Sequence, residues 1–417
     1  MSRMSTVVAV VGLLISPPSA RPDVVLEWNA IMLTTVAGQN PFAQTRLAAI
    51  THVAIFEAVN AITGDYEPYL GTIAAPPGAS PEAAVIAAAH TVLVHYFSSN
   101  EALTQMLNAF RDNSLAAIPD GPWKADGIAV GQAAAAAIIA LRANDGSGGS
   151  PTTEPFPPRS SNPGEWQLTP TCPPSGSGVF FHWRNVTPFA LESSSQFRSG
   201  PPPALTSAKY TKDYDEVKMV GDVDSIVRPP DRADVARFYN ALLAVTVWNP
   251  VARQLAIAHG NSLAENARAF ALINMALSDA LVTVMETKYF YAFWRPETAI
   301  RAADADANPK TVPNIDFTPF IPTPCFPSYP SAHATASYAA RRVIQEIWGA
   351  GGHSIELIAP TLDLALYYTR LKEITDDIDD ARVYGGIHFR FDQEAGARQG
   401  WGIGAYVSGN HLRPVQF

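Results

Sequence analysis

Cysteine is nearly absent from this 417-residue chain, which has only Cys172 and Cys325. With no Cys/His cluster at zinc-ligand spacing, a structural zinc module is excluded. Two cysteines suit one disulfide in an exported protein and suit a reducing compartment equally, so their number decides nothing. Charge is scarce too, at 16% of residues, and its excess is acidic, for a net charge of −9. That balance argues against a general nucleic-acid binder. It also makes any local cluster of cations informative, because such a cluster is no by-product of overall basicity. Long apolar runs are missing: the longest clean one, Thr6–Ile15, holds a glycine and falls well short of the ~20 residues a membrane span needs. There is no Gly-x-Ser-x-Gly elbow, no Walker loop for a nucleotide, no haem or flavin motif, and no evident internal repeat.

What remains is a chain 47% hydrophobic, long enough for one large domain or two ordinary ones. Met1–Ala20 joins Arg3, an apolar Val7–Ile15 core and a small-residue ending. It reads as a secretory signal, so the protein is expected to be exported, with a cytoplasmic location as the alternative. Most of the chain from Arg21 onward has helical periodicity. Asn40–Pro41, Ser80–Pro81 and Pro122 open three helices, the last stopped by Asn144–Asp145–Gly146. Residues 144–205 are rich in Gly, Ser and Pro with scattered aromatics, the composition of a packed excursion that roofs a cleft. Helical pattern resumes over Ser207–Val220, Asp231–Val247, Asn249–His259, a long run near Ser262–Trp294, and Ala334–Ile347. The expected fold is all-α, two packed helical bundles divided near residues 205–206.

Three stretches carry chemistry. In ARVYGGIHFRFD (residues 381–392), His388 and Asp392 are four apart and share a face of a helix, so Asp392 can hold one ring nitrogen and aim the other. Arg382 is six residues before His388, on a different face unless Gly385 and Gly386 break the helix. In KYFYAFWRP (residues 288–296), Lys288 and Arg295 are two helical turns apart amid aromatics. Buried there, they would need an anion; otherwise they pair with Glu286 and Glu297. In PCFPSYPSAH (residues 324–333), prolines force an extended approach that leaves Ser331, Ala332 and His333 at a helix N-terminus. Free N–H groups there attract an oxyanion, and His333 can act as acid or base. Three cations, a helix end and two histidines suit a tetrahedral oxyanion such as phosphate or vanadate.

The pattern Lys-x6-Arg-Pro, Pro-Ser-(Gly)-His, Arg-x5-His-x3-Asp resembles that of the vanadium-dependent haloperoxidases, most closely the chloroperoxidase branch, and that of the related type-2 phosphatidic acid phosphatases. ALSDA (276–280), FWRP (293–296), Phe326–His333 and HFRFD (388–392) extend the likeness. The resemblance implies two four-helix bundles with vanadate as cofactor, its site at the end of the C-terminal bundle. Lys288, Arg295 and Arg382 would bind its oxygens, with Ser331 and the N–H of Ala332. His388 would be the ligand to the metal and His333 the acid–base residue, with Phe326 and Trp294 lining a halide or substrate pocket. The implied activity is oxidation of bromide, extending to chloride, by hydrogen peroxide, with halogenation of a small organic acceptor. A homo-oligomer is compatible with it. The rival on the same residues is an acid phosphatase with His388 as nucleophile; a helical scaffold with a dead site is the rival from another class. Ala332 stands where the pattern has glycine, and Ala381 where a serine is common. Cys325 is an unusual neighbour for an oxidant-generating centre unless a Cys172–Cys325 disulfide protects it and ties the long loop over the cleft.

Overall fold

Helix starts in this chain are written in its capping side chains. Asp23 accepts the amide of Leu26 at the head of α1 (Val24–Val36), Asn40 those of Phe42 and Ala43 at α2 (Pro41–Thr63), and Ser80 that of Ala83 at α3 (Pro81–Phe97). Each cap satisfies donors the first helical turn leaves open. The structure, a computed structural model, describes residues 23–415, so the expected signal segment lies outside the described residues. α4 (Glu101–Ala116) and α5 (Pro122–Arg142) complete the N-terminal group. Periodicity did not mark α1 or α4; α4 buries only Leu107, so it carries almost no apolar stripe.

After the long loop, with a 3₁₀ turn at Phe181–Asn185, come α6 (Ala208–Val220), α7 (Pro230–Ala241), α8 (Ala244–His259), α9 (Leu263–Tyr291) and α10 (Pro296–Arg301). The expected break near Pro250 is displaced: the chain bends by 97° between α7 and α8, and Pro250 sits inside α8. α11 (Ala332–Trp348) leads into an antiparallel hairpin, β1 (Gly351–Ala359) with β2 (Leu364–Arg370), and then α12 (Leu371–Tyr384) and α13 (Arg390–Asn410). The hairpin is a small departure from an otherwise helical chain. Ile355, Leu357 and Ala359 alternate inward along β1, the period of a half-buried strand.

α2 packs against α3, α5 and α9, while α9 also packs against α11 and α13. One hydrophobic core runs from Val25 to Leu412, so the two helical groups share it across α2 and α9. A buried polar strand threads the same seam. Asn29 Nδ2 contacts His52 Nε2 at 2.8 Å and donates to Asn249 Oδ1 at 2.7 Å, and Asn249 and Asn274 exchange amide bonds of 3.0 and 2.9 Å.

By length and composition alone α5 and α9 are apolar enough to cross a membrane, although the sequence holds no unbroken apolar run of that length. Average hydropathy tolerates the alanines and lone polar residues that interrupt such a run. The apolar window of α9 is wholly buried inside the protein, as befits a central core helix.

Candidate active site

Four helix ends converge: the C-termini of α9 and α12 and the N-termini of α11 and α13. Lys288, in the last turn of α9, is fully buried and donates to the carbonyls of Pro327 (2.9 Å) and Ser328 (2.7 Å). The helix does not continue to Arg295, as the two-turn spacing had suggested. It stops at Ala292, in the left-handed region at φ 48°, and Arg295 is the residue before α10. Arg295 is equally buried; its Nε donates to Phe326 O (2.8 Å) and its Nη1 to Ile387 O (2.9 Å). Neither cation pairs with the nearby carboxylates, because Glu286 is taken by Arg198 and Glu297 by Arg301.

His388 and Asp392 do not share a helix either. α12 ends at Tyr384, and Gly386, at φ 79°, turns the chain where a Cβ would meet Gly221 O at 2.2 Å. His388 therefore lies in the link before α13, whose first turn holds Asp392. Asp392 Oδ2 accepts the Phe389 amide at 3.1 Å and faces His388 Nδ1 at 2.8 Å. On the other side, Arg295 Nη1 lies 3.1 Å from His388 Nε2. A guanidinium only donates, so Nε2 carries the lone pair and the ring proton sits on Nδ1, directed at Asp392.

Ser331 caps α11, accepting the Ala334 amide at 3.3 Å while its own N–H donates to Asp392 O at 3.0 Å. Ala332 and His333 begin that helix and are half-buried. Ala332 is absent from the residues with positive φ, so a glycine is not required there. Arg382, in the last turn of α12, is buried with one long bond, Nη1 to Tyr239 O at 3.4 Å.

These groups lie in one another's field. Burial first, then Arg295, Lys288, Arg382 and His333, hold the His388 imidazole well below its usual range. Burial and then Arg382, Lys288 and Arg295 do the same to His333. Lys288 is driven well below an ordinary ammonium by burial, with Arg295 adding to it. Burial takes Arg295 down to about 9 and Arg382 to about 10, and lifts Asp392 to about 6. Asp392 faces Lys288 and Arg295, Glu297 adds a weaker field at Arg295, and Arg295 Nη2 and Arg382 Nε have no hydrogen-bond partner. Buried donors without acceptors are costly, and an oxyanion would satisfy them.

Residues 268–416 match the family described as the VCPO second helical-bundle domain. Vanadium chloroperoxidase from Curvularia inaequalis is 27% identical over 202 residues, 40% of this chain; the match spans 32% of that protein's length. A solved structure described as the first bacterial vanadium-dependent iodoperoxidase superposes at a TM-score of 0.77 with 25% identity, over 94% of this chain and 96% of that one. The chain is similar in fold and in C-terminal sequence to the vanadium haloperoxidases. A holo bacterial vanadium-dependent chloroperoxidase shares the fold at a TM-score of 0.69 and 16% identity, over 90% of this chain and 93% of that one.

Within this haloperoxidase fold the long loop is a packed roof, with Phe156, Trp166, Trp183 and Phe189 buried. Asp279 of α9 anchors its end by accepting the amides of Phe189 (2.6 Å), Ala190 (2.7 Å) and Leu191 (3.1 Å). The Cys172–Cys325 disulfide ties its middle to the segment bearing Phe326. Beneath lies an apolar cavity of about 100 Å³, where Phe42, Phe180 and Leu243 meet Phe326 and His333. Trp294, expected in this pocket, does not line it. The turn at Ala292 runs Phe293 and Trp294 beside residues 164–166, Trp294 N donating to Gly164 O at 3.0 Å, and buries the indole in a second cluster with Tyr210 and Phe389. Sequence reasoning missed Ser328, whose hydroxyl donates to Asp392 Oδ2 at 2.6 Å. No local pattern marks it, because its partner is 64 residues away. Phe42 and Leu243 were missed for the same reason of distance.

Proposed function

We propose that this chain is a vanadium-dependent haloperoxidase, oxidising halide with hydrogen peroxide to a hypohalous acid equivalent that halogenates a small organic acceptor. The observation that carries the reading is the unpaired positive charge: among the described residues Lys288, Arg295 and Arg382 are buried without a carboxylate salt bridge, with unpaired N–H groups on both arginines. Vanadate fits this donor set, being a compact oxyanion whose metal accepts a neutral imidazole nitrogen. Lys288, Arg295, Arg382, Ser331 and the Ala332 N–H would hold its oxygens, and His388 Nε2 would be its ligand. When bound, vanadate would supply a Lewis-acid centre that activates peroxide without changing its own oxidation state.

The chain's residues supply the rest. Asp392 keeps the His388 proton on Nδ1 and the lone pair on Nε2. The three cations spread compensating charge over the oxyanion. His333, kept neutral by burial and by those cations, can take the proton that hydrogen peroxide loses. Phe326 lies 5.3 Å from Lys288 Nζ and 5.1 Å from the Arg295 guanidinium carbon, an aromatic wall beside positive charge that suits a halide. Bromide is the proposed halide, with chloride as its extension; a site that oxidises chloride also oxidises bromide and iodide, which lose electrons more readily. The disulfide supports export to an oxidising compartment.

The neutral, pre-aimed Nε2 of His388 also favours a second reading, an acid phosphatase in which it attacks phosphorus and His333 protonates the leaving group. One comparison separates the two. Purified protein is given vanadate, peroxide and iodide, bromide or chloride, and halogenation of an activated ring is followed; the vanadate-free protein is assayed on phosphate esters. Halide-dependent halogenation is the expected result. Brisk ester hydrolysis with no halogenation would replace the first reading by the second.

A further inference from the structure

Residue 328 touches the site through three separate atoms. Its N–H donates to Phe293 O at 2.9 Å, in the turn that follows α9. Its carbonyl accepts Lys288 Nζ at 2.7 Å. Its hydroxyl, on a side chain with no solvent exposure, donates to Asp392 Oδ2 at 2.6 Å and lies 3.4 Å from His388 Nδ1. The first two contacts belong to the backbone and would accompany any residue but proline. Only the hydroxyl is particular to serine.

That hydroxyl acts on an uneven carboxylate. Oδ2 of Asp392 receives Ser328 Oγ, His388 Nδ1 and the Phe389 amide, whereas Oδ1 has no partner. A buried carboxylate held at one oxygen can swing about its terminal torsion, which is broad and soft. The Phe389 amide and the imidazole both come from the link just before α13. Ser328 approaches from the separate segment between α10 and α11, so it supplies the one tie that does not move with that link.

We propose that the Ser328 hydroxyl is a positioning group for oxyanion binding, clamping Asp392 so that His388 Nε2 stays aimed at the anion. The proposal rests on reading the pocket as an oxyanion seat, and holds whether the chemistry done there is halide oxidation or ester hydrolysis. Outer-shell partners of a metal-ligating histidine typically govern affinity by about 10–100-fold, and a single hydroxyl belongs at the low end of that range.

The test is the dissociation constant of orthovanadate, and separately of phosphate, measured by equilibrium dialysis. Ser328→Ala should weaken vanadate binding by about tenfold. Ser328→Thr and Ser328→Val add the same bulk and differ only in the hydroxyl, so the threonine variant should bind more tightly than the valine one. In protein already carrying Asp392→Ala, removing the hydroxyl should change affinity no further, because the clamp then has nothing to hold. Wild-type affinity in Ser328→Ala, equal affinity in the Thr and Val variants, or an undiminished loss without Asp392 would each overturn the proposal. If the unmodified protein binds neither anion, the seat itself falls, and this inference with it.

Discussion

At the scale of single residues, His333 and His388 share one electrostatic setting but differ in what holds them. His388 is gripped at both ring nitrogens, by Asp392 and Arg295, whereas His333 stands half-buried at the open start of α11. Replacing His333 by alanine should therefore lower kcat by about 10²–10⁴-fold, the usual worth of a general acid–base group, while leaving vanadate affinity nearly unchanged. Steady-state kinetics beside equilibrium dialysis checks both halves. Burial and the three cations depress its pKa, so the unprotonated form persists below the ordinary imidazole range. In the vanadate-free protein the His333 imidazole should accordingly titrate below 6.5, as an NMR titration of its ring protons would show. Much of this set was legible in the sequence, because 288, 295, 333, 382 and 388 are the residue types an oxyanion requires. Their geometry was not. The spacings of His388 to Asp392 and of Lys288 to Arg295 predict shared helices, yet α13 begins only at Arg390, after His388, and the turn at Ala292 ends α9 before Arg295. The residues still meet, through the link and the turn rather than along one helix face.

At the scale of elements, the roof over the cavity is fastened by groups outside the chemistry. Asp279 is completely buried, and burial lifts its carboxyl to about 6 against the three loop amides it accepts. Asp279→Ala would leave those amides without their acceptor, at a cost of about 1–3 kcal/mol for each buried donor that finds no other. Denaturant midpoints should show the loss, and hydrogen exchange should rise at residues 189–191 before it rises in α9. Reduction of the Cys172–Cys325 disulfide should lower stability by about 2–5 kcal/mol, since the unfolded chain is freed of a 153-residue closure. Thermal melts with and without reductant measure this. Helix starts were readable wherever a capping side chain or proline announced them, as at Asn40, Ser80 and Ser262. The bend at Leu242–Leu243 carries no such mark, and Pro250, which looked like a break, is absorbed within α8. Tertiary packing decided both.

At the scale of the whole molecule, the seam between the two helical groups is apolar core threaded by asparagine and histidine. Because α2 and α9 belong to one cluster, unfolding should be a single transition, with calorimetric and van't Hoff enthalpies in agreement. His52 gives the seam a pH signature. Burial lowers its pKa from 6.5 to about 3, so below 6.5 the unfolded chain binds a proton that the folded chain refuses. Its contribution is complete above 6.5 and is lost as pH falls toward about 3. Asp279 and Asp392, lifted to about 6, work in the opposite direction, their contributions being lost as pH rises from 3.8 to about 6. A His52→Gln variant should therefore lose less stability than the parent between pH 6.5 and 3, in urea titrations run at each pH.

Both sulfhydryl-bearing residues in the sequence are consumed by the loop bridge. A cysteine engineered at a bare surface position such as Ile226, which is 98% exposed, would thus be a unique handle for a maleimide dye or a solid support. The catalyst could be tethered in one orientation without first deleting any native thiol.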